Sequence, residues 1–176
     1  MTPAPPQLSQ LEFLPYLEDG LIPAALHGKI GLYAIFAADK TLQLVDYSRD
    51  IALSLRQHLV RQPQHCYWLK AHIIERPSRA VLQDLQAAWL AENGATPPGN
   101  GEQQAAWHEP IDVKPLLTDA EQAAYATSDE LGQSKLLKQV ARRIEAERVE
   151  LLRSRGAKLE LRFNPKLKEQ GLLDLK

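Results

Sequence analysis

Cysteine is almost absent from this sequence. The single thiol, Cys66, excludes an intrachain disulfide framework and any CxxC metal knuckle. Long apolar runs are absent too: none approaches the roughly 18–20 residues that span a bilayer. The opening MTPAPPQLSQ lacks a basic stretch followed by an apolar one, so it does not read as a secretory signal. Neither sign of charge dominates. Lys and Arg total 21 against 22 Asp and Glu, a net charge of −1. No global field therefore draws nucleic acid or acidic lipid to the chain. The five histidines, at 27, 58, 65, 72 and 108, show no ligand spacing and predict no metal site. Together these absences lead us to expect a cytoplasmic protein with no membrane insertion.

What is present is an ordinary globular composition, 44% hydrophobic and 24% charged over 176 residues. That length suits one domain, or a small domain with an extension, and can bury a core unaided. Residues 1–10 read as a flexible tail, and 11–26, broken by Pro15, Gly20 and Pro23, as a packed arm. KIGLYAIFA (29–37) and TLQLVDY (41–47) predict a hairpin. Both of its faces carry apolar residues, so the sheet should be covered on both sides. Ile51, Leu55 and Leu59 mark an amphipathic helix over 48–62, with Ser48 as N-cap and Pro63 as its end. YWLKAHIIE (67–75) predicts a third strand. A helix at 79–92 should bury Val81, Leu82, Leu85, Trp89 and Leu90, and NGATPPGNG (93–101) reads as a loop.

The C-terminal third is helical by pattern. Thr118 and Glu121 form a capping box, and a long helix covers 129–155. Its apolar stripe is Leu137, Val140, Ala141, Ile144 and Leu151, and Gly156 is its C-cap. KLELRF (158–163) alternates as a strand, and Asn164-Pro165 opens a last short helix closed by Gly171. The division expected is 1–29 tail and arm, 30–101 domain, 102–117 linker and 118–176 helical extension. The fold class is α+β, a small mixed sheet of about three strands flanked by helices. From 118 onward there are 12 basic and 10 acidic residues. The arginines of the long helix alternate with glutamates, the pattern of a solvated face ahead of a nucleic-acid stripe. The same helix is a candidate for self-association.

The order β-β-α-β-α, with Gly31-Leu32-Tyr33 in its first strand, resembles the GIY-YIG nuclease superfamily over about residues 30–101. More narrowly, GLYAIF, LQLVDYSRDIALSLRQHL, CYWLKAHII and PPGN are similar to a cyanobacterial and plastid subgroup. Plastid monothiol glutaredoxins carry a domain of that kind as an N-terminal extension. The ending FNPKLKEQGLLDLK looks like the stand-alone cyanobacterial members, and no CGFS motif is present.

The resemblance implies a metal-assisted phosphodiester cleavage, with Mg²⁺ or Mn²⁺ as cofactor. Such chemistry needs a carboxylate for the cation, a group to activate water and a cation for the phosphate. On this sequence it retains Tyr33, His58 and Asn100. Leu44 and Asp46 stand where a second tyrosine and a glycine are expected, Ser54 where an arginine is expected, and Gln86 where the metal glutamate is expected. Tyr47 lies three positions from Leu44 and should face the other way. Arg49 is a substitute candidate for phosphate contact, or else a capping or surface residue. Tyr33 and His58 are catalytic candidates or core packing, and Asn100 is a binding candidate. Cys66, beside His65, is a redox candidate or a small buried hydrophobe. Three functions follow as expectations: a catalytically degenerate module binding a protein or nucleic-acid partner, a nuclease with a rearranged site, and a redox-responsive module through Cys66.

Overall fold

A computed structural model describes residues 4–176. They form two compact units, the first ending at His108 and the second spanning Glu109–Lys176. The fold class is α+β, as the pattern predicts.

The first unit is built on four strands: β1 (Leu14–Pro15), β2 (Gly31–Phe36), β3 (Leu42–Ser48) and β4 (Trp68–Ile73). They lie in the order β1-β4-β2-β3, and every pairing is antiparallel. The fourth strand comes from the arm, where Leu14 and Pro15 pair with Leu69 and Trp68. Proline is tolerated there because β1 is an edge. One register shift interrupts the hairpin. Ile35 faces Leu44 but Phe36 faces Leu42, leaving Gln43 as the extra residue. This bulge keeps Leu42 on the Phe36 face. Glycine is required at 31, where a Cβ would sit 2.0 Å from the His72 carbonyl oxygen on the adjacent strand.

Helices cover both faces, as the two-sided apolar pattern requires. α1 (Ile51–Arg61) lies on the Tyr33 side, and α2 (Arg79–Asn93) on the other. The α2 side holds a cluster of Leu32, Ala34, Phe36 and Val45 from the sheet against Leu82, Leu85 and Trp89. Full burial of each such aliphatic or aromatic side chain contributes about 1.5–3 kcal/mol. Val81, expected in that stripe, is exposed. The N-cap of α1 is Asp50 rather than Ser48: its side chain accepts from the Leu53 N–H, while the Ser48 hydroxyl donates to the Asp50 carbonyl. Ser78 caps α2, its hydroxyl accepting from the Val81 N–H.

Residues 4–10 are not a flexible tail; residues 1–3 of that expectation lie outside the described part. Leu8 is buried in the α2-side cluster. Its N–H and that of Ser9 donate to the Glu92 carboxylate at 2.7 and 2.8 Å. Lys70 Nζ donates to the Leu8 carbonyl, and Trp89 Nε1 to that of Pro6. The loop after α2 carries a short 3-10 turn, Pro98–Asn100, and leads into α3 (Gln104–His108), which no sequence pattern marked.

The second unit contains β5 (Ile111–Asp112), α4 (Asp119–Thr127), α5 (Glu130–Ser154), α6 (Pro165–Lys168) and β6 (Leu172–Leu173). The Thr118–Glu121 capping box, the Asn164 N-cap and the left-handed Gly156 and Gly171 all form. Residues 158–163 make no strand. Their alternation meets no partner ladder, and only Phe163 bridges, to Leu175. The two-stranded sheet is instead β5 with β6. Leu152 takes the buried place expected of Leu151. Among the described residues, no helix is long and apolar enough to cross a membrane.

Candidate functional site

Tyr33 points from the centre of β2 toward α1 and is 1% exposed. Its hydroxyl lies 2.8 Å from His58 Nε2. The other imidazole nitrogen, Nδ1, lies 3.0 Å from the Trp107 carbonyl oxygen. A carbonyl only accepts, so Nδ1 carries the proton. Burial, reinforced by the nearby His108 and Arg61, pushes the His58 pKa down to about 3. The ring is therefore neutral, Nε2 is a bare acceptor, and the phenol donates to it. Arg61 Nη1 donates to the same Trp107 oxygen at 3.1 Å.

Asp46 stands directly opposite Tyr33 across the hairpin, so both side chains share a face. Burial raises its pKa. The Tyr47 N–H, the adjacent His108 and the Tyr33 hydroxyl work against that rise. His108 Nδ1 is 3.7 Å from Asp46 Oδ2. The Tyr33 pKa is raised well above its ordinary value by burial and then by the Asp46 charge. The Ser54 hydroxyl and Arg61 act in the opposite direction. Ser54 in turn donates to Ser48 at 2.7 Å. A phenol so placed keeps its proton across physiological pH and acts as a donor, not as a base.

The residues expected to form a site are thus only partly assembled. Tyr33 and His58 meet. Arg49 does not join them: it is exposed and lines a separate cleft with Tyr47, Ser48 and Arg79. The reason is parity, since Arg49 follows Tyr47 and Tyr47 packs on the α2 side. Asn100 holds the outer edge of β3. Its Oδ1 accepts from the Val45 N–H and its Nδ2 donates to the Val45 carbonyl, both at 2.8 Å. Gly99 sits so close to this edge that a Cβ would meet the Gln43 carbonyl oxygen at 2.8 Å. Gln86 Nε2 donates to the same Val45 oxygen at 2.9 Å.

Cys66 is fully buried, with Sγ 3.6 Å from the His58 carbonyl oxygen. A thiol so enclosed behaves as a small hydrophobe.

The donor set does not fit a divalent cation of the kind the resemblance implies. Gln86 offers an amide already engaged with backbone, and Asp46 is a single carboxylate beside a histidine. No group of three or more His, Cys, Asp or Glu among the described residues could hold a metal. Sequence reasoning missed Arg61, Trp107 and His108. One signal was available: Ser54, His58 and Arg61 recur at helical spacing, on the face that meets Tyr33. The Trp107 carbonyl is backbone and has no signature.

No family model matches the chain. Over 97 residues it is 38% identical to the bifunctional monothiol glutaredoxin-S16, chloroplastic, of Arabidopsis thaliana, a match covering 53% of this chain and 32% of that protein. The chain therefore spans about a third of that relative's length.

Proposed function

We propose that the first unit is a GIY-YIG-like module of the cyanobacterial and plastid subgroup that acts by binding a protein or nucleic-acid partner, with phosphodiester hydrolysis lost. The observation that carries this reading is the Gln86 side chain. At the position where the resemblance implies a metal-holding glutamate stands an amide that donates to the Val45 carbonyl. A glutamate there would turn an acceptor toward an acceptor, so the position serves the sheet and not a cation. The Tyr33 proton, held by a neutral His58, supports the same reading. The likeness to part of a chloroplastic glutaredoxin is consistent with a module that serves a larger function elsewhere.

The test is incubation of the full chain with plasmid and single-stranded substrates, with Mg²⁺, with Mn²⁺ and with chelator, alongside Tyr33→Phe. The expected result is no metal-dependent cleavage. Cleavage that needs metal and disappears in the variant would sink the proposal.

A further inference from the structure

A second cleft lies on the α2 side, apart from the Tyr33 cluster. Its volume is about 540 Å³, and Ile30, Tyr47 and Leu82 contribute apolar and aromatic lining. Arg49, just after β3, and Arg79, the first residue of α2, line the same cleft and are both exposed. Neither guanidinium has an ion-pair or hydrogen-bond partner among the described residues. Arg143, Arg153 and Arg162 each pair with a glutamate. Two uncompensated cations around one cleft favour an anion, and guanidinium geometry suits phosphate oxygens. An inorganic phosphate would leave most of this volume empty, whereas pockets of about 300–1,000 Å³ suit organic ligands. The Tyr47 ring offers a base a surface to stack on.

We propose that this cleft binds a nucleotide phosphate through Arg49 and Arg79, with the base against Tyr47 and Leu82. The source is either a single-stranded nucleic acid or a free nucleotide. The inference rests on the reading of the unit as a binding module and names the ligand class for it.

The experiment uses the full chain, wild type and R49A/R79A, with R153A as a surface-arginine control. The probes are a labelled single-stranded oligonucleotide followed by anisotropy, and AMP and inorganic phosphate followed by calorimetry. Both arginines are exposed, so unchanged thermal melts should show that the double variant folds. The expected result is a tenfold or greater weakening in R49A/R79A and none in R153A. For the oligonucleotide, the slope of log K against log salt should become shallower by about 1.4, the value for two phosphates on a single strand. Tighter binding of the oligonucleotide identifies a strand as the source; equal binding of AMP identifies a free nucleotide. Equal affinity in wild type and double variant overturns the site, as does phosphate alone binding as tightly as AMP. Wild type that binds none of the probes also overturns it, and leaves the binding reading with a protein partner. Metal-dependent cleavage would overturn the binding reading without touching this site.

Discussion

The Gln86 amide and the Asn100 amide donate to one oxygen, the carbonyl of Val45, at 2.9 and 2.8 Å. This shared acceptor ties α2 and the PPGN loop to the outer edge of β3. It explains why a glutamine can stand where a carboxylate is expected. Gln86→Glu should destabilise the chain at neutral pH by about 1–3 kcal/mol, because a part-buried carboxylate would then face the Val45 carbonyl, which keeps only its Asn100 donor. A protonated carboxyl can donate again, so the folded-state pKa of Glu at 86 should be raised. Its favourable contribution is present below the ordinary carboxylate pKa and lost as pH rises through the raised one. Urea titrations of both chains across that range check the sign.

Asn100→Ala should cost about 1–3 kcal/mol by leaving the Val45 N–H and carbonyl without the side chain that closes the strand edge. Amide exchange at Val45 should accelerate more than at Ala34, which lies within the sheet. Equal acceleration at both would contradict an edge-specific role.

Gly31→Ala places a methyl 2.0 Å from a backbone oxygen that no rotamer change can move. About 3 kcal/mol of destabilisation is expected, from overpacking against backbone. A melting temperature within a degree or two of wild type would show that β2 and β4 can separate more easily than their register implies.

Tyr33→Phe removes the donor to buried His58 Nε2 and should cost about 1–3 kcal/mol. Because His58 titrates near 3 when folded and near 6.5 when unfolded, the unfolded chain binds the extra proton between those values. Its contribution is therefore complete above about pH 6.5 and is lost as pH falls toward 3. The raised Asp46 pKa has the opposite sign. His58→Gln, in a stability-versus-pH series, should flatten the acid limb; an unchanged limb would assign it to other groups.

Glu92→Ala removes the acceptor for the Leu8 and Ser9 N–H groups. Limited proteolysis should then cut the 4–11 segment faster than in wild type, with the remainder of the first unit intact.

The regular elements were legible because their signals are local. The periods of 51–59 and 82–89, the Thr118–Glu121 box and the alternation within 31–36 and within 42–47 each lie within one element. Parity alone placed Tyr47 away from Leu44. What could not be read is long-range. Glu92 reaches Leu8 across 84 positions, and no local composition distinguishes a held arm from a loose one. For the same reason, the alternation at 158–163 misled: a strand needs a partner, which the segment does not state. At the candidate site, Tyr33 and His58 were legible as types but not as a bonded pair. Arg49 was misplaced because nearness in sequence does not fix a face of the sheet. His108 reaches Asp46 only through α3, a helix too short to show a period.

The most direct test of a fold kept without its reaction is single-turnover cleavage. The wild-type chain is held in excess over end-labelled single- and double-stranded substrates, with millimolar Mg²⁺ or Mn²⁺. Substrate should decay no faster with metal than with chelator, with no difference between wild type and Tyr33→Phe. Metal-dependent decay that Tyr33→Phe abolishes, in a variant shown to be folded, would contradict the loss of the reaction.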